Sequence, residues 1–208
     1  MMKKIADSTV RRLSLYLRFL EEFEGQGMTT VSSEALAHRG STTSAQVRKD
    51  LSFFGSFGKR GLGYSVPELS TRLRDILGLG RRYRVVLIGA GKIGSALVQY
   101  RGFRERGFDI AAIFDADREK IGHQWNGLTV ADVAQLEASL QETPADIAVL
   151  VTPPEAAQGI TDRLVKAGIR AILNFAPINL AVPDEVAVTN VNLALELEAL
   201  SYALGNRA

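Results

Sequence analysis

The sequence predicts an α/β protein in two parts, a small helical unit with a short hairpin, then a doubly wound parallel sheet with a closing helix. Three observations carry this. Arg84 to Gly94 reads RVVLIGAGKIG, an apolar run of strand length that meets three glycines spaced GxGxxG. From Arg84 onward, strand-length apolar runs alternate with helix-compatible segments, as a parallel sheet with crossover helices requires. Charge changes sign along the chain: residues 1–84 hold 15 Lys and Arg against 8 Asp and Glu, a net +7, and residues 85–208 hold 10 against 15, a net −5. Such asymmetry points to a nucleic-acid-facing half joined to something else.

A length of 208 residues suits two modest domains, and 46% hydrophobic with 23% charged residues is a soluble globular composition. No apolar run approaches the ~20 residues of a membrane span, so no membrane partner is expected. The N-terminal lysines precede no apolar segment of the kind a signal peptide carries. Without cysteine there is no disulfide, thiolate metal site or cysteine nucleophile, and no metal centre is expected. A cytoplasmic location fits these features.

In the first part, Val10, Leu13, Leu17, Leu20 and Phe23 recur at three- and four-residue steps, predicting a helix from Thr9 to Glu24 with Ser8 as N-cap. A second helix starts after Ser32 or Ser33 and stops near Gly40. A third, Ala45 to Phe54, carries the stripe Val47, Leu51 and Phe54, and the pair makes a helix-turn-helix. That stripe leaves Ser44, Gln46, Arg48 and Lys49 on or beside the outer face, where a recognition helix meets bases and phosphates, and turns Asp50 away from it. Gln46 suits adenine, and Arg48 or Lys49 suits guanine or phosphate. Residues 55–66 hold four glycines and the adjacent cations Lys59 and Arg60, which reads as a glycine-tipped hairpin. Such a wing would bring both cations to the DNA backbone or minor groove, with Tyr64 in the core. Pro67 ends the hairpin, and Glu68 to Leu79 forms the last helix of this winged helix-turn-helix domain, residues 1–80.

The second domain, residues 81–191, opens on the glycine motif. Gly89 permits the tight turn, Gly91 lets a pyrophosphate approach the backbone, and Gly94 lets the next helix pack closely. Ala90, Lys92 and Ile93 complete the turn, whose free amides at the helix N-terminus suit phosphate. The strand Asp109 to Phe114 ends in Asp115, 21 residues after Gly94, near the spacing of the carboxylate that holds an adenosine ribose. Asp115 should repel a 2′-phosphate and select NAD(H) over NADP(H). Leu128 to Val130 is a short strand, Ala131 to Leu140 a helix, Asp146 to Val151 a strand, Glu155 to Ala167 a helix, Ala171 to Phe175 a strand and Val186 to Val191 the last strand. Ligands lie at the carboxyl ends of such strands, which places Thr152, Pro153, Asn174, Phe175 and Ala176 beside a nicotinamide or its ribose. This is a Rossmann-like fold. The segment 192–208 is a closing helix whose leucines are not confined to one face, fit to dock on a partner or on its own domain.

A dehydrogenase needs an acid or base beside the nicotinamide. The two histidines, His38 and His123, are not placed for it, and no tyrosine is followed four positions later by lysine. A small NAD-dependent reductase is therefore disfavoured, and a CoA-binding regulator is opposed by Asp115. The cofactor reads as a signal, and no enzyme activity is expected.

The strings VRKDLSFFG from Val47, FGKRGLGY from Phe57, GAGKIG from Gly89 and ILNFAP from Ile172 resemble the redox-sensing transcriptional repressor family Rex, in order and over almost the whole chain. The resemblance implies a homodimer on a palindromic double-stranded DNA operator, NADH and NAD as the sensed cofactors, C-terminal helices swapped between subunits, and release of DNA by NADH. It also implies that the residues at the start of the last helix reach the partner's nicotinamide. Members often carry Asp-Phe there; this chain has Asn192-Leu193, and leucine fills an apolar pocket without stacking. Arg18 and Tyr100 match positions expected at the same junction.

Overall fold

The computed structural model describes residues 5–55, 57–59 and 62–205. The chain divides into two compact units, Met1–Arg81 and Arg82–Ala208. Among the described residues no helix is long and apolar enough to cross a membrane.

The first unit runs α1 (Asp7–Gly25), β1 (Thr30–Val31), α2 (Ser33–Arg39), α3 (Ser44–Ser52), β2 (Gly58–Lys59), β3 (Gly63–Ser65) and α4 (Val66–Ile76). Helix α1 buries Leu13, Tyr16, Leu17, Leu20 and Phe23, while Val10 stays exposed. The stripe therefore begins one turn later than its periodicity suggests and includes a tyrosine. Ser8 does not cap this helix; Ala6 holds that position without a side-chain bond, and Asp7 sets a carboxylate in the first turn, where the helix dipole favours it. The next helices are capped by side chains, as their sequences suggest. Ser32 accepts from the Ala35 amide and Thr43 from the Gln46 amide. Pro67 lies in the first turn of α4, where its missing N–H costs nothing, so it opens a helix as well as closing a hairpin. The hairpin gains a third strand that the sequence did not announce, in the order β1-β3-β2. Gly63 is obligatory at that junction: its φ is +79°, and a Cβ would lie 2.4 Å from the Val31 carbonyl oxygen.

The second unit continues with β4 (Tyr83–Ile88), α5 (Lys92–Gln99), α6 (Arg101–Glu105), β5 (Phe108–Asp115), β6 (Gln124–Trp125), β7 (Leu128–Asp132), α7 (Leu136–Glu142), β8 (Ile147–Leu150), α8 (Pro154–Lys166), β9 (Ala171–Asn174), β10 (Ala187–Asn190) and α9 (Leu193–Gly205). Helix α7 starts later than expected because β7 pairs with β5 as far as Asp132, and a 3-10 turn over Val133–Gln135 intervenes. Seven strands lie in the order β10-β9-β8-β4-β5-β7-β6, parallel except for β6 on β7. Leu136, Leu140, Ala157 and Leu164 cover one face of the sheet, while Ala90 and Val98 cover the other. From central β4 the chain first builds toward β5 and β7, then returns to β8 and builds the other way. The switch point lies between β4 and β8, where open α/β sheets bind their ligands.

Candidate functional site

At the carboxyl ends of β4 and β8 the structure holds a cleft of about 670 Å³, within the usual range for cofactor sites. Gly89, Gly91, Asp115, Thr152 and Pro153 all line it, so five of the sequence-derived residues converge from three strands. Each glycine has a distinct reason. Gly89 has φ +109°, and a Cβ there would stand 2.5 Å from the Val151 carbonyl oxygen. A Cβ on Gly94 would stand 2.1 Å from the Gly89 carbonyl oxygen, so this glycine lets α5 seat against β4. A Cβ on Gly91 would meet nothing within 4 Å. The chain itself does not need a glycine at 91, and the absence of a side chain there leaves the backbone open to a ligand. Lys92 and Ile93 are exposed in the first turn of α5, which carries no acid, and its unpaired amides suit a pyrophosphate.

The Asp115 carboxylate is held from two sides. Its Oδ2 accepts from the Ala90 amide at 2.5 Å and its Oδ1 from the Asp117 amide at 2.8 Å, with the Lys120 ammonium 3.5 Å from Oδ2. Oδ1 retains a lone pair for a ribose hydroxyl. Opposite, the Thr152 hydroxyl oxygen is buried without a hydrogen-bond partner. A buried orphan of this kind is costly unless a ligand satisfies it. An open glycine, a pre-aimed carboxylate and an orphan hydroxyl together fit a dinucleotide. Sequence reasoning missed Asp117, Lys120, Val133 and Ala156, which also line the cleft. The first two follow Asp115 in a DxDxxK string and were legible; the others arrive from remote elements, which no local spacing reveals.

Asn174 closes β9, one strand further along, with Phe175 and Ala176 just after it, and all three are absent from the described lining. The Asn174 amide is turned inward: Nδ2 lies 3.1 Å from the Ala176 carbonyl, 3.0 Å from that of Ile178 and 2.9 Å from Asn190 Oδ1, while Oδ1 accepts from the Ala176 amide at 2.9 Å. These bonds shape the loop after β9.

In the first unit, Arg48 and Lys49 are exposed on α3, and the Arg48 guanidinium donates to Ser33 Oγ on α2 at 3.1 Å. Ser44 is half-buried in the first turn of that helix. Gln46 lies beside the outer face and is tethered from within. It is half-buried, and its Nε2 donates to Asp50 Oδ1 at 2.8 Å. Asp50 faces away from that surface, as expected, and is turned inward with a fully buried side chain. Arg12 on α1 grips both its oxygens, at 2.6 and 2.7 Å, and the Tyr16 hydroxyl donates to Oδ2 at 3.0 Å. Burial works against the Asp50 charge, yet the bonds from Arg12, Gln46 and Tyr16 prevail and hold its pKa below the usual carboxylate value. Burial pushes the Tyr16 hydroxyl up to about 12, assisted by its bond to Asp50. Helical periodicity treats an Asp as a surface residue, and only its charge partner on a distant helix shows otherwise. Tyr64 is half-buried against the core, as expected, and burial raises its pKa. Lys59 lies in β2; Arg60 falls outside the described residues.

At the last helix, Asn192 Oδ1 accepts from the amides of Ala194 at 3.0 Å and Leu195 at 3.4 Å. The residue expected at a subunit junction is thus at least a helix cap. No residue of α9 is buried, and Leu193, Leu195, Leu197, Leu200 and Leu204 are between 58% and 74% exposed. Arg18 is exposed on α1, and Tyr100, 57% exposed, packs edge-on against Phe103.

Comparison with known proteins accords with both units. Residues 4–52 match a family model described as a putative DNA-binding protein N-terminus, and residues 81–178 match a CoA binding domain model. The redox-sensing transcriptional repressor Rex of Carboxydothermus hydrogenoformans is 49% identical over 96% of this chain and 96% of its own. The Rex of Thermus thermophilus is 48% identical over 98% and 95%. Among solved structures, RSP, a Rex-family repressor, superposes with a TM-score of 0.93 at 40% identity in its complex with NAD+ and operator DNA, over 99% of this chain and 94% of that one. In complex with NADH it superposes with a TM-score of 0.89 at 38% identity, over 99% and 96%. The chain belongs to the Rex family of redox-sensing transcriptional repressors.

Proposed function

We propose that this chain is a DNA-binding transcriptional repressor, working as a homodimer in the cytoplasm, that reads the NADH/NAD ratio and leaves its palindromic operator when NADH binds. The observation that carries this reading is a recognition helix and a dinucleotide cleft in one chain, with no histidine among the described residues lining the cleft. Its relatives are named as repressors, and the cofactor is a signal here and not a reagent. Gly89 to Gly94 hold the pyrophosphate, Asp115 the adenosine ribose, and Thr152, Pro153, Phe175 and Ala176 the nicotinamide side. Ser44, Gln46, Arg48, Lys49, Lys59 and Arg60 meet the DNA. The exposed leucines of α9 (residues 192–208 with its flanks) are covered by a second copy, as in a swapped helix, which brings Leu193 toward the partner's nicotinamide and Arg18, Tyr100 and Asn192 to the junction.

The two oxidation states can move the dimer only if they differ in affinity for its two arrangements. The reduced ring is uncharged and the oxidised ring is a cation, so an apolar lining favours NADH. Coupling of about 1 to 3 kcal/mol changes operator affinity roughly 5- to 150-fold, and operator DNA must weaken NADH binding by the same factor. A labelled palindromic duplex, titrated with protein at fixed salt, should be released by NADH and hardly by NADPH. Identical binding with and without saturating NADH refutes the reading; turnover of a carbonyl substrate would favour a reductase.

A further inference from the structure

Asp50 and Gln46 stand one helical turn apart on α3, and their contact fixes more than packing. A buried carboxylate in a bidentate ion pair is acceptor-only, so it accepts only from the nitrogen of a neighbouring amide. Gln46 Nε2 must therefore face Asp50, as its 2.8 Å contact shows, and Oε1 must point elsewhere. An amide orientation that is usually ambiguous is here dictated by chemistry. Arg12 and Tyr16 make the other three bonds to the carboxylate, which fills all four of its acceptor positions and leaves it no alternative partner.

We propose that Asp50 is a positioning residue for base readout, holding the Gln46 amide with Oε1 and its remaining N–H side by side toward the major groove, so that Gln46 selects adenine in each half-site. Adenine offers an N–H donor at N6 beside the N7 acceptor, the complement of that edge, whereas guanine offers two acceptors and sets O6 against Oε1. Asp50 never touches the DNA. It acts by withholding the flipped amide, which would set Oε1 against N7 and lose the match to adenine. The inference rests on α3 being the recognition helix of the repressor.

The test is selection of binding sites from a random-sequence duplex pool by the full-length protein, with Asp50→Asn, Gln46→Met and the double variant, at one salt concentration. The wild type should yield a palindromic site in which one adenine per half-site is preferred over guanine by about 5- to 150-fold. Gln46→Met should flatten that column and no other. Asp50→Asn supplies a donor where only acceptors stood, so Gln46 can turn its oxygen inward and the same column should lose its adenine preference. In the double variant the column should be no flatter than with Gln46→Met alone. A merely structural Asp50 would weaken all sequences together with every column intact, and that result overturns the proposal. If Asp50→Asn does not fold, Gln46→Met still decides, because an unchanged adenine column refutes the assignment. A wild type that selects no site at all overturns the DNA-binding reading itself, a distinguishable failure.

Discussion

Substituting alanine at Gly91 and at Gly94 should separate ligand binding from folding. Gly91 has φ −94° and ψ −167°, extended backbone open to any L-residue, and its added methyl would meet no atom within 4 Å. The lower entropy of the unfolded chain favours Gly91→Ala by about 0.4 to 1 kcal/mol, and the weaker N-cap opposes it by a similar amount. Stability should therefore change by less than about 0.5 kcal/mol. The methyl nevertheless stands where the pyrophosphate approaches, and overpacking of that size costs about 1 to 3 kcal/mol, or roughly 5- to 150-fold in NADH affinity. At Gly94 the methyl would lie 2.1 Å from the Gly89 carbonyl oxygen and 3.2 Å from its carbon, so backbone must move. Gly94→Ala should lower the melting temperature first and lose NADH as a consequence. NADH fluorescence titration beside thermal unfolding measures both. Wild-type NADH affinity in Gly91→Ala, or equal destabilisation of the two variants, would refute the assignment of the glycines.

Arg12→Met should remove two of the four hydrogen bonds to a buried carboxylate. With the Arg12 side chain 28% exposed, we expect a loss of about 2 to 3 kcal/mol, below the 3 to 5 of a wholly buried pair. Because the Asp50 pKa is depressed on folding, the stabilisation is complete above the unfolded value near ~3.9 and is lost as pH falls through the folded one. Urea unfolding should therefore show the gap between variant and wild type narrowing below about pH 4; a gap independent of pH would argue against Asp50 as its source. Asp115→Asn should weaken NADH by about tenfold and narrow its advantage over NADPH, measured by calorimetry with both; an unchanged ratio would remove Asp115 from the ribose site. Leu200→Glu, on an exposed position of α9, should convert dimer to monomer in sedimentation velocity, and an unaltered dimer would place the subunit contact elsewhere.

The strands and the glycine turn were legible because their signals are local: β-branched runs, three glycines at fixed spacing, and one acid at the expected distance. Side-chain caps at Ser32 and Thr43 were legible for the same reason. What escaped depends on chain segments meeting across long separations. Asp50 is buried only because Arg12 and Tyr16 come to it from a helix 34 to 38 residues earlier. Trp125 joins a short antiparallel edge strand whose two residues carry no periodicity. Asn174 was correctly placed at a strand end, but which way its amide would turn follows from Asn190, sixteen residues on.

That inward amide has a consequence for how a guest molecule is received. Three contacts from one side chain fasten the turn after β9 on itself and a fourth ties it to β10, so this corner has its final shape before anything arrives. A visitor need not order it, and little affinity is forfeited to loop entropy on that side. Any rearrangement that distinguishes one oxidation state from the other has to occur elsewhere, in parts of the chain less firmly anchored than this corner.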